Sequence, residues 1–173
     1  MSSSPSSSKK IPLKSSDGVT FEVEEAVALQ SPVIEKIIKE GLTDNEGAIE
    51  VPSVKGIKGD ILAKVIEYLK KHLEEEDTDA ITYYDAASKE WRREFVNVDT
   101  STLSGLLLAA NDLQIMSLLN LTSEVLCDMI KGKSPEEVRT LFNIKEDPTL
   151  TPEEEEWYRR EIGDIEGKLD EDI

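Results

Sequence analysis

Apolar residues alternate with polar ones along a short early stretch of the chain. Ile11 and Leu13 alternate with polar neighbours, Ser16-Asp17-Gly18 marks a turn, and Val19, Phe21 and Val23 alternate again. Successive strand residues point to opposite faces, so the pattern predicts a hairpin with its odd-numbered residues on one covered face and Thr20 and Glu22 toward water. Gly18 suits the positive φ of a tight turn. Ile49 and Val51 predict one more short strand before Pro52.

Most of what remains carries helical punctuation. Ser31-Pro32 is a cap followed by a first-turn proline, Ile34, Ile37 and Ile38 form a stripe, and Gly41 ends it. Asp60 is the expected cap of a longer helix bearing Ile61, Leu62, Val65, Ile66 and Leu69, with His72 near its tail as a partly exposed side chain. The acidic run from Glu74 to Asp79, extended to about residue 89, is expected to be a solvated loop. Trp91, Phe95 and Val98 resume apolar anchoring. They lead into a helix through Leu103, Leu106, Leu107 and Ala110, then another through Leu118, Leu121, Val125 and Met129. Gly132 closes the last of these.

Two start signals then follow each other closely. Ser134-Pro135-Glu136-Glu137 combines an N-cap, a first-turn proline and a capping-box glutamate, and Thr151-Pro152-Glu153-Glu154 repeats it. Val138, Leu141 and Phe142 make the first apolar edge; Tyr158, Ile162, Ile165 and Leu169, with Trp157 beside them, make the second. Helices this short are marginal in water without packing. Their cover is either the protein's own core or an apolar stripe of a partner helix, and periodicity leaves the choice open.

Composition narrows the chemistry. Lys and Arg number 20 against 37 Asp and Glu, a formal net charge of -17, which repels nucleic-acid phosphates and anionic membrane surfaces. Protein partners are expected, with no nucleic acid and no membrane, although such charge also simply serves solubility. Cys127 is the sole cysteine and His72 the sole histidine, which excludes an internal disulfide and leaves no Cys/His set for a metal or for acid/base work. No catalytic residue, metal or cofactor is expected. Cys127, flanked by Leu126 and Met129, is expected to pack as a small hydrophobe. An enzyme using Cys127, or a carboxylate pair such as Glu153 and Glu156, is the distant alternative. Residues 1–10, mostly serine, lack the apolar centre of a secretory signal and are expected to be a disordered lead. The longest apolar region, Leu103 to Leu121, is interrupted by Asn111, Asp112, Gln114 and Asn120 and does not read as a membrane span.

The run Met129-Ile130-Lys131-Gly132-Lys133-Ser134-Pro135-Glu136-Glu137-Val138-Arg139, followed by Phe142-Asn143-Ile144-Lys145, resembles the signature of the Skp family of S-phase kinase-associated adaptors. Leu13 to Gly18, Val51-Pro52-Ser53-Val54, Ile61 to Tyr68 and Leu107 to Asn111 match that family in the same order, so the likeness spans about Ile11 to Glu161. Phe21 to Leu29 is similar to plant members. The resemblance implies an α+β chain with a BTB/POZ fold: a small β-sheet against a helical cluster over residues 11–132, extended by two additional C-terminal helices in 133–173. It also implies an adaptor of Skp-cullin-F-box ubiquitin ligases that bridges an F-box receptor to a cullin; the lack of a secretory signal and of a membrane span, read above, makes nucleus and cytoplasm its expected location. The alternative is a related BTB-type scaffold working outside a cullin ligase.

By the same resemblance, Val138, Phe142, Asn143, Ile144 and Lys145 meet the F-box, with Trp157 as a further large side chain there, and Asn111 with Asp112 faces the cullin. Weak self-association stays open. The sequence resembles a divergent member, departing from the family pattern at several points. Asp112 stands where the family commonly carries an aromatic residue, so reduced cullin binding is expected. Ser104-Gly105 replaces a Phe-Glu pair, so looser local packing is expected. The tail from Ile162 to Ile173 lacks the family's aromatic-containing ending.

Overall fold

The computed structural model describes residues 9–76, 86–144, 151–153, 156, 157 and 160. β1 (Lys10–Lys14) and β2 (Thr20–Glu24) pair antiparallel, with Ile11 opposite Val23 and Leu13 opposite Phe21. β3 (Ile49–Glu50) runs parallel along the other edge of β1, giving the order β2-β1-β3. Ile11, Leu13 and Val23 are buried and Phe21 half-buried, whereas Thr20 and Glu22 are exposed, as one covered sheet face requires. Val19, expected on that face, lies in the turn and is exposed. Gly18 reverses the chain at φ 84°.

Helices cover the sheet. α1 (Glu25–Ala28) and α2 (Pro32–Glu40) follow the hairpin directly. Ser31 caps α2 as expected: its hydroxyl accepts from the Ile34 N–H at 3.3 Å and donates to the Leu113 carbonyl at 2.7 Å. One buried hydroxyl thus starts a helix and ties it to a segment 82 residues away. α3 (Gly59–Glu76) starts one residue before Asp60, the cap expected from sequence. Its first N–H, that of Gly59, donates instead to Asp17 Oδ1 at 2.8 Å, so the hairpin turn supplies a carboxylate to the helix start. The contact is close, since a Cβ on Gly59 would lie 2.9 Å from Val19 Cγ2. The Ser15 hydroxyl, and then the Gly59 N–H, hold the Asp17 carboxyl below the usual carboxylate range.

Helices occupy both ends of the stretch expected as a loop over about 74–89. α3 runs through Glu76 and α4 (Ala86–Phe95) begins at Ala86, with 77–85 outside the described residues. Glu75 is buried and pairs with Arg92 of α4. Trp91 and Phe95 stack beside Tyr68, with ring centroids of the first two 5.0 Å apart. A buried carboxylate is tolerated when a cation meets it, and the partner lies too far along the chain for the acidic run to reveal it.

α5 (Thr100–Asp112) and α6 (Met116–Ile130) complete this part. Asp99 caps α5, accepting from the Thr102 hydroxyl at 2.6 Å and the Thr102 N–H at 3.1 Å. Leu103, Leu106, Ala109 and Ala110 of α5 are buried with Leu62, Val65 and Leu69 of α3 in the common core, and each fully buried leucine contributes about 2 kcal/mol of apolar transfer energy. No helix among the described residues is long and apolar enough to cross a membrane.

The chain divides into two units, Met1–Lys133 and Ser134–Ile173. The second contains α7 (Pro135–Leu141), whose capping box is complete: the Glu137 N–H donates to Ser134 Oγ at 3.2 Å, and the Ser134 N–H donates to Glu137 Oε2 at 2.7 Å. Pro152, Glu153, Glu156, Trp157 and Arg160 are helical; Tyr158, Ile162, Ile165 and Leu169 lie outside the described residues, as do residues 1–8. β1 begins within the expected N-terminal lead, at Lys10.

Candidate protein-interaction sites

α7 builds the first candidate site from a helix that is short but stopped at both ends. Beyond its capping box, the Glu136 carboxyl is held below the usual range by its own backbone N–H and then by the Ser134 hydroxyl, so negative charge gathers where the helix dipole favours it. At the other end the Ile144 N–H donates to the Arg139 carbonyl at 2.8 Å and the Asn143 N–H to the Thr140 carbonyl at 3.2 Å. This is the paired C-terminal closure that needs a left-handed residue, and Asn143 supplies it at φ 51°. Asn143, expected as a polar rim contact, is therefore first of all the residue that stops the helix.

The stop sets where the neighbouring side chains go. Val138 and Phe142 are half-buried, Asn143 is exposed, and Ile144 is 56% exposed. No residue of α7 is buried. Trp157 is also 56% exposed, and Lys145 lies outside the described residues. Asn143 and Ile144 border a depression of about 390 Å³ together with Glu136, Arg139 and Thr140. The last three are not among the site residues expected from sequence, although their three- and four-residue spacings already put them on one helix face.

The second candidate site is the C-terminal end of α5. Asn111 is exposed there and Leu108 is 45% exposed, one turn earlier. Gln114, at φ 55°, ends the helix: its N–H donates to the Asn111 carbonyl at 3.1 Å, and the Ile115 N–H donates to the Ala110 carbonyl at 2.9 Å. Asp112 is half-buried, and its carboxylate is well met. Oδ2 accepts from the Ser53 hydroxyl at 2.5 Å and from the Val54 N–H at 3.3 Å. Sequence alone sets Asp112 as a carboxylate in place of a packed ring; its two donors come from a loop 58 and 59 residues upstream.

Two further expectations change. Gly105 does not loosen the contact between α3 and α5, because a Cβ there would lie 2.8 Å from Ile61 Cδ1: Ile61 occupies the space. On the outer side a cleft of about 240 Å³ remains, bordered by Ser53, Lys55, Ile61, Gly105 and Leu108 among others. Cys127, expected to pack, is exposed. It shares a polar face of α6 with Asn120, Ser123, Glu124 and Asp128, while the core-facing stripe carries Leu118, Leu121, Val125 and Met129. The apolar neighbours in sequence, Leu126 and Met129, sit about 100° and 200° around the helix from it, which linear flanking does not convey.

The model of the Skp1 family tetramerisation domain, of POZ type, matches residues 9–74, and that of the Skp1 family dimerisation domain matches residues 116–164. SKP1-like protein 1A of Arabidopsis thaliana is 51% identical over 160 residues, covering 90% of this chain and 96% of the relative. SKP1-like protein 4 of the same plant is 49% identical over 159 residues, covering 88% and 93%. SKP1-like protein 1 of Oryza sativa subsp. japonica is 46% identical over 167 residues, covering 88% and 92%. The three-stranded sheet under its helices is the α+β, BTB/POZ-like arrangement, and the chain belongs to the Skp1 family.

Proposed function

We propose that this chain is the adaptor of a Skp-cullin-F-box ubiquitin ligase, bridging an F-box substrate receptor to a cullin, in nucleus and cytoplasm. The observation that most supports it is the unspent apolar surface of the terminal unit: Phe142 is half-buried, and Ile144 and Trp157 are each 56% exposed. Helices this short gain stability by laying such side chains against a partner helix. Val138, Phe142, Ile144 and Trp157 are assigned the apolar part of the F-box contact, and Asn143 and Lys145 its polar rim. Asn111 and Asp112, on the other unit, are assigned to the cullin face. Each contact needs about 800 Å² per partner, which a chain of this length can offer twice.

The chemistry required of such an adaptor is proximity. A receptor holds the substrate, a cullin carries the ubiquitin-charged machinery, and the bridge raises the effective concentration of one at the other without making or breaking a bond. The test is direct: the purified chain is mixed with an isolated F-box domain and with the N-terminal domain of a cullin. Two separate complexes, and a ternary one when both are present, are expected. Loss of the F-box complex with the fold intact rejects the adaptor role. An F-box complex without any cullin complex favours a scaffold acting outside a cullin ligase.

A further inference from the structure

The loop between β3 and α3 is pinned at both ends. The Ser16 N–H donates to the Ile57 carbonyl at 2.9 Å, and the Gly59 N–H donates to Asp17 at 2.8 Å, fastening the loop's exit to the hairpin turn. Gly56, at φ 81°, passes so near that turn that a Cβ would lie 2.9 Å from Ser16. The loop enters through Val51, which is buried and whose N–H donates to the Lys14 carbonyl at 2.9 Å; beyond it Asp112 ties the loop to α5, Oδ2 taking both the Ser53 hydroxyl and the Val54 N–H. Between these anchors the Val54 side chain stands 91% exposed, the most exposed large apolar side chain among those described. Leu108, four residues before Asp112, stands 45% exposed on α5, and the cleft bordered by Ser53 and Leu108 joins loop and helix.

Asp112 sits in the last turn of α5, where the helix dipole disfavours a negative charge. A carboxylate there is stabilised by donors brought to it, and the two it has belong to the segment that presents Val54. Resting on the cullin reading above, we propose that Asp112 is a positioning residue for the cullin face. Its carboxylate fixes the Ser53–Val54 peptide so that Val54 meets the partner already ordered beside Leu108. Binding then pays less conformational entropy than it would with a free loop. This reverses the sign expected of an aspartate that merely replaces a packing ring: such a carboxylate would hinder, and its removal would help.

The experiment titrates a cullin N-terminal domain into the full chain and into Asp112→Ala, Asp112→Asn, Ser53→Ala and the Ser53→Ala/Asp112→Ala double variant. Asp112→Ala and Ser53→Ala are each expected to weaken binding about tenfold by releasing the loop, and the double variant no more than Asp112→Ala. Asp112→Asn, whose amide oxygen still accepts from Ser53, recovers part of the loss. Backbone order parameters at Ser53 and Val54 fall from about 0.85 toward about 0.6 in Asp112→Ala, while F-box affinity stays unchanged. Equal or tighter cullin binding by Asp112→Ala, or unaltered order at Val54, overturns the proposal and leaves the adaptor role standing. Failure of the unaltered chain to bind cullin, with F-box binding retained, removes the cullin reading and this proposal together.

Discussion

Cys127 is exposed on a polar face of α6. A thiol reagent is therefore expected to label it in the folded protein at nearly the rate seen in denaturant, within about threefold, because no opening step precedes reaction. A rate that rises more than tenfold on unfolding would place the thiol inside the helix packing instead. Gly105 offers a second single-residue test. Alanine there gains about 1 kcal/mol of helix propensity, but its Cβ would lie 2.8 Å from Ile61 Cδ1. Gly105→Ala is thus expected to stabilise the chain by about 1 kcal/mol only in an Ile61→Ala background, and to be neutral or destabilising otherwise. Urea midpoints of the four members of this cycle decide it; additivity would show that Ile61 does not fill the gap.

Among the elements, α7 depends on its two stops more than on its own seven residues. Ser134→Ala removes half of the capping box, with an expected loss of about 1 kcal/mol in local helix stability. Amide exchange at Glu137 reads this as about a fivefold acceleration. Asn143 holds φ 51°, so Asn143→Val, forcing a β-branched residue into the left-handed region, is expected to cost about 1–2 kcal/mol, whereas Asn143→Gly is tolerated. F-box affinity should follow the same order, with the valine variant weakest, since the turn aims Ile144. Equal affinities across the asparagine, glycine and valine chains would detach Ile144 from the interface. The cap signals of α2, α5's relative position in the chain, and α7 were readable directly from Ser31-Pro32, the Leu103 stripe and Ser134-Pro135. Capping is a contact between residues three apart. The start of α3 is not legible in this way, because the carboxylate that meets its first N–H comes from Asp17, 42 residues earlier.

Acid sensitivity belongs to the molecule as a whole. Asp17, Asp44 and Asp99 each join segments or cap a helix, and each carboxyl is held below its ordinary 3.8. For Asp44 the Ala48 N–H is the main cause, followed by the Lys14 ammonium at 3.1 Å. Since the folded values lie lower, the unfolded chain binds more protons near pH 3.8, and stability rises with pH across that window. These contributions are fully present well above pH 3.8 and vanish as pH falls through the depressed folded values. The stability difference between the wild-type chain and Asp44→Asn is accordingly expected to shrink as denaturation is measured from pH 7 down toward pH 3. A difference constant with pH would mean that Asp44 contributes nothing through its charge.

Much of this protein was legible along the chain because local rules act over a few residues. The hairpin, the capped starts of α2 and α7, the core-facing stripes of α3, α5 and α6, and the family likeness at Met129 to Lys145 all follow from spacing or from contiguous strings. What folding alone decided are pairings between distant residues: Glu75 with Arg92, Asp17 with Gly59, Ile61 against Gly105, and Asp112 with Ser53 and Val54. A carboxylate's character depends on the donors around it, and those donors arrive from elsewhere in the chain only when the core has closed.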